Sequence, residues 1–76
     1  MAIKNPLLIK LGKVVQSERR KAGMSQESLA ELADVHRTYI GMIERAEKNV
    51  TLTSLQKISH ALNVPMSSIL KRVEKA

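Results

Sequence analysis

The 76 residues contain no cysteine, tryptophan or phenylalanine, and Tyr39 is the one aromatic side chain. Without cysteine, neither a disulfide framework nor a thiolate metal site can form, which suits a reducing compartment. With one aromatic ring, the chain lacks the stacking platforms on which single strands and many RNA segments are read. No apolar run approaches the roughly 20 residues of a bilayer span, and the opening MAIKNPLLIK has no secretory layout. A cytoplasmic protein with no membrane partner is expected. His36 and His60 stand in no HxxxH or HxH spacing, a Gly-rich phosphate loop is missing, and acids are few. Neither a metal centre nor a catalytic set of nucleophile, base and orienting group is therefore indicated. The expectation is a protein without cofactor or metal that is not an enzyme, with His60 simply facing solvent.

What the chain does have is positive charge: a formal +6 with pI near 10.1. This suggests a polyanionic partner, and with so little aromatic character duplex DNA is the better candidate. The charge is sorted along the chain. Lys4, Lys10, Lys13, Arg19, Arg20 and Lys21 face only Glu18 before residue 25, whereas Glu27, Glu31 and Asp34 make the next stretch acidic. A chain this short forms one small domain, near the size where burial barely balances chain entropy, so dimerisation would help it.

The organising stretch is QESLAELADVHRTYIGMIER, Gln26 to Arg45. Leu29, Ala30, Ala33, Val35, Ile40 and Ile43 fit two short helices that share one core and meet at an angle, the helix-turn-helix pattern. The second, roughly His36 to Arg45, buries Ile40 and Ile43 and leaves Thr38, Met42 and Arg45 on its outer face. Upstream, Asn5-Pro6 opens a helix over about 6–22, with Leu7, Leu8, Leu11, Val14, Val15 and Ala22 as its core stripe. Its last turn, Arg19-Arg20-Lys21, complements the helix dipole or touches phosphate, and Gly23 is its left-handed stop. Ser25 caps Gln26 to Ala33, and Asp34 takes a left-handed turn position where Gly would be easier. Gly41 inside a helix allows either close approach of a phosphate or base, or tight packing against a neighbouring helix.

Ala46 to Leu52 is a polar loop, and Thr53 to Gln56 a capping box opening a fourth helix with Leu55, Ile58, Ala61 and Leu62 on its core face. Asn63-Val64 ends that helix. Pro65 begins a fifth, about 65–73, carrying Met66, Ile69, Leu70 and Val73. Met24 and Met66 suit core or cap packing, and the tail Glu74-Lys75-Ala76 is expected to fray. The predicted fold is all-α: five short helices around one aliphatic core, forming a single domain over 1–76.

The residues Gly23, Ser25-Gln26, Leu29-Ala30, Ala33, Val35, Ile40, Ile43-Glu44 and the ALNVP end of helix four resemble the Cro/repressor (Xre-like) family of five-helix, lambda-repressor-like DNA-binding domains. The likeness covers about residues 6 to 72. RTYIGMIER followed by EKNVTLTSLQKISHAL is most similar to the controller proteins of restriction-modification systems, small dimeric regulators of their own gene and of the endonuclease gene. Phage-type repressors and antitoxins share the same core and remain alternatives, as does a protein-interaction adaptor that uses the fold without DNA. An adaptor would keep its function without Arg37 and Thr38.

The resemblance implies roles residue by residue. Arg37, Thr38, Met42 and Arg45 would meet base edges in the major groove. Arg37 can give two hydrogen bonds to a guanine, and Met42 only apolar contact. Gln26, at the start of helix two, would meet a phosphate, helped by the helix N-terminus. Tyr39, Lys48 and Asn49 would lie along the backbone, although Arg45, Lys48 and Asn49 also suit a solvated loop. His36, where Ser, Thr or Asp is the better cap, would reach a phosphate when protonated. Arg19 and Glu44 match a structural ion pair tying helix one to helix three. The implied partners are an operator duplex, a second copy of the chain joined through Val64, Met66, Ile69 and Val73, and RNA polymerase at a promoter.

Overall fold

The computed structural model describes residues 5–75, so the expected fraying of Ala76 lies outside the described residues. Among these residues five helices follow one another: α1 Pro6–Lys21, α2 Gln26–Ala33, α3 Arg37–Glu44, α4 Leu52–Leu62 and α5 Met66–Glu74. α1 starts as expected, with the Asn5 side chain accepting from the Leu7 N–H at 2.8 Å and Pro6 at the first helical position.

The first four helices end in one way. After each, a single residue turns left-handed: Gly23 at φ 72°, Asp34 at 57°, Ala46 at 60° and Asn63 at 59°. The next N–H then reaches back to an orphan carbonyl, as in Met24 to Arg19, Val35 to Ala30, Glu47 to Met42 and Val64 to Ser59, at 2.8–3.0 Å. This Schellman closure satisfies the helix end while reversing the chain. Gly, Asp and Asn carry a sequence signal for it. Ala46 does not, and it makes the α3 turn at a steric cost that Gly would avoid.

The core is aliphatic throughout: Leu11, Val14 and Val15 from α1, Leu29, Ala30 and Ala33 from α2, Ile40 and Ile43 from α3, Leu55, Ile58 and Leu62 from α4, and Ile69 and Val73 from α5. Met24, Val35, Tyr39 and Met66 pack against it half-buried, while His60 is exposed. α1 lies so close on α3 that a Cβ at Gly12 would stand 2.6 Å from the Ile43 carbonyl oxygen and 2.8 Å from that of Glu44. Only a glycine fits that crossing.

Several sequence expectations are corrected. Leu7 and Leu70 are exposed at 54% and 39%, and Ala22 is exposed past the end of α1; none completes the core, because the chain turns away or the helix face rotates out at each. α4 begins two residues before the expected box. Thr51, not Thr53, is the cap, its Oγ1 accepting from the Ser54 N–H at 3.1 Å. Both threonines are chemically able to cap; the earlier start follows from the extended backbone at Thr51. Pro65 likewise stays extended as the cap of α5, and Glu74 closes that helix instead of fraying beyond it.

Candidate nucleic-acid interface

α3 meets α2 across the left-handed Asp34 turn, and Val35 packs on the core between them. The side chains of α3 that this leaves outside are Arg37, Thr38 and Arg45, all exposed, with Met42 half-buried beside them. Together with the start of α2 they form a shallow open surface lined by Arg19, Ser25, Gln26, Glu27, Arg37, Thr38, Gly41 and Arg45. The N-terminus of α2 adds a partial positive charge at its edge.

Beneath this surface Glu44 ties three elements together. Its carboxylate accepts from Arg19 Nε at 2.7 Å and Nη2 at 3.1 Å, from Gln26 Nε2 at 3.0 Å, and at 3.4 Å from Gln16. Arg19 Nη1 also donates to the Met24 carbonyl at 2.9 Å, fixing the α1–α2 corner. The Glu44 side chain is 2% exposed. Burial pushes its carboxyl upward, but the bonds from Arg19 and Gln26, the Arg19 charge and Gln16 outweigh that and hold it below the usual carboxylate range. The hydrogen bond to Glu44 raises Arg19 further against an opposing desolvation. The pair is a clamp that sets where α3 stands relative to α1 and α2.

Gln26 thus gives one amide N–H to Glu44 and has a second to offer outward. Arg37 donates through Nη1 to Glu27 at 2.8 Å, and Arg45 Nε lies 3.2 Å from Glu47. The Arg45 guanidinium folds back over Gly41, whose added Cβ would be 3.0 Å from Nη1. What lies nearest the helical glycine is thus the arginine that caps its own helix, and not a neighbouring helix. His36 is the cap of α3: its Nδ1 accepts from the Thr38 N–H at 3.1 Å. That bond uses the imidazole lone pair, which a protonated ring lacks, so phosphate contact by a charged His36 would give up the cap. Tyr39 flanks α3 half-buried, and Lys48 and Asn49 are exposed on the 46–51 loop.

Of the four residues through which the resemblance implies a second copy would join, two are taken up by the core of a single chain. Ile69 is 1% and Val73 3% exposed within a single chain, because these residues close the core over α1 and α4; Val64 and Met66 are half-buried. Larger exposed apolar side chains border a groove between α1, α4 and α5, where Leu7, Leu52 and Leu70 surround Leu8, Leu11, Val50 and Leu55, and Leu32 is exposed apart from it on α2. Four features carried too little sequence signal to be found: the Gly12 crossing, the Gln16 bond, the left-handed Ala46 and the Glu27–Arg37 pair. Only the last had a hint, in the opposite charges at the starts of two adjacent short helices. Among the described residues no three His, Cys, Asp or Glu side chains converge on a metal position, and no helix is long and apolar enough to cross a membrane.

The helix-turn-helix family model matches residues 15–69. The control protein C.SmaI of Serratia marcescens is 47% identical over 62 residues, covering 82% of this chain and 74% of that protein. C.BamHI of Bacillus amyloliquefaciens, also a control protein, is 50% identical over 58 residues, covering 76% and 72%. Among solved structures, the restriction-modification controller protein C.AhdI from Aeromonas hydrophila superposes with a TM-score of 0.80 at 35% identity, covering 82% of this chain and 94% of that one.

Proposed function

This chain belongs to the helix-turn-helix family and is a DNA-binding regulator, not an enzyme, close to the restriction-modification controller proteins; from that premise we propose that it binds, as a homodimer, a pseudo-palindromic operator ahead of its own gene and controls that gene together with a restriction endonuclease gene. The observation that carries the reading is the outer face of α3, where Arg37, Thr38 and Arg45 stand exposed on one surface with the N-terminus of α2.

α3 would lie in the major groove with Arg37 and Thr38 leading, Met42 against a thymine methyl and Arg45 at the far end. Gln26, Tyr39, Lys48 and Asn49 would follow the phosphates on either side, fixing the register in which bases are read. His36 serves the interface by capping α3. Bound near a promoter in the cytoplasm, the dimer would block or recruit RNA polymerase according to where the operator lies.

The second copy packs on the groove that Leu7, Leu52 and Leu70 border. Three of the exposed leucines among the described residues border it, Leu32 alone standing apart on α2, and its burial would add core to a domain short of it. Titrating the DNA upstream of the gene against a scrambled duplex at several salt concentrations tests the reading. A preference of roughly a thousandfold or more, falling steeply with salt, is expected. Equal and weak binding to both duplexes would reject operator recognition at that site.

A further inference from the structure

Glu27 is the one acid among the residues lining the surface that faces the proposed DNA. An acid there repels phosphates and weakens sequence-independent attachment. Its place in the first turn of α2 suits the helix dipole, yet that benefit requires only the charge, not a contact. The side chain nevertheless makes one: Oε2 accepts from Nη1 of Arg37 at 2.8 Å across the turn between the two helices. The partners are 72% and 68% exposed, and pairs so exposed stabilise a fold little.

We propose that Glu27 is a specificity-determining positioning residue, which holds Arg37 by one nitrogen so that the rest of its guanidinium meets a guanine and not the nearest phosphate. The inference rests on the reading of Arg37 as a base contact. A guanidinium carries five N–H donors in a planar fork. With Nη1 engaged by Glu27, the Nε and Nη2 edge remains to give two parallel hydrogen bonds to guanine O6 and N7. Without Glu27, a long flexible arginine follows the strongest local potential, and on any duplex that is the phosphate backbone.

The test uses the duplex that wild-type protein enriches from a random-sequence pool, beside a scrambled duplex of the same composition. Affinities are measured for wild type, Glu27→Ala, Arg37→Ala and the double variant, with thermal unfolding confirming that each is folded. Glu27→Ala should bind the scrambled duplex more tightly and with a steeper salt dependence, by about one charge. Its ratio of selected to scrambled affinity should fall on the order of tenfold. In the Arg37→Ala background the same substitution should leave the ratio unchanged. An equal gain on both duplexes would show that Glu27 only repels phosphates, and would overturn the inference while Arg37→Ala still loses discrimination. Full discrimination by Arg37→Ala would instead overturn the base-contact reading on which the inference stands.

Discussion

At the scale of single residues, Glu44 is where charge and stability meet. Its folded-state carboxyl is held low by Arg19, Gln26 and Gln16, so below the ordinary value of 4.5 the unfolded chain takes up a proton that the folded one does not. The stability this group contributes is therefore complete above that value and is lost as pH falls through the lower folded one. Urea midpoints measured from pH 7 to pH 3 should show the loss in the wild type and a smaller one in Glu44→Gln. Removing one partner from so buried a pair leaves the other uncompensated, and Arg19→Ala should destabilise the domain by about 3 kcal/mol in the same unfolding measurement at pH 7. His36 offers the opposite change. A hydroxyl caps more effectively than an imidazole, so His36→Ser should raise stability by about 0.5–1 kcal/mol, and chemical denaturation would show whether it does.

At the scale of helices, the closures decide where each element stops. Ala46 holds the position that Gly23 fills after α1, and a left-handed alanine costs about 1 kcal/mol that glycine does not. Ala46→Gly should accordingly stabilise the domain by about 1 kcal/mol, read from its thermal midpoint. Gly12 is the reverse case. Any side chain there meets the α3 backbone, so Gly12→Ala should force α1 and α3 apart and cost more than about 2 kcal/mol. Much of this level was legible beforehand. Asn5-Pro6, Ser25, Asp34 and Asn63 announce their turns through side-chain chemistry that acts within a few residues. The start of α4 did not, because Thr51 and Thr53 are equally able to cap, and their local sequences do not choose between them.

At the scale of the whole molecule, the described residues span 32 × 25 × 22 Å, so one α3 reaches only a few base pairs. Two copies on a two-fold axis would place half-sites about 34–36 Å apart, one helical turn of DNA. With Ile69 and Val73 inside the core, Ile69→Asp is expected to unfold the chain instead of yielding a folded monomer. Leu52→Asp and Leu70→Asp, both on exposed positions, should give folded monomers with weakened operator binding. Sedimentation equilibrium beside circular dichroism separates these outcomes; a Leu52→Asp, Leu70→Asp double variant that stayed dimeric would reject the groove as the seam.

The sequence by itself determined the all-α class, the order of the helices, the helix-turn-helix and the outward side of α3, since all of these follow from periodicity and from caps that act over a single turn. The pairing of Arg19 with Glu44 was reached through family likeness, because spacing alone does not bring together residues so far apart in the chain. Only the tertiary structure decided which face of α5 is spent on the core, why Gly12 must be glycine, and that Glu27 holds Arg37. Each depends on how closely one helix lies upon another, and the distances between helices are set by the packing of the entire core.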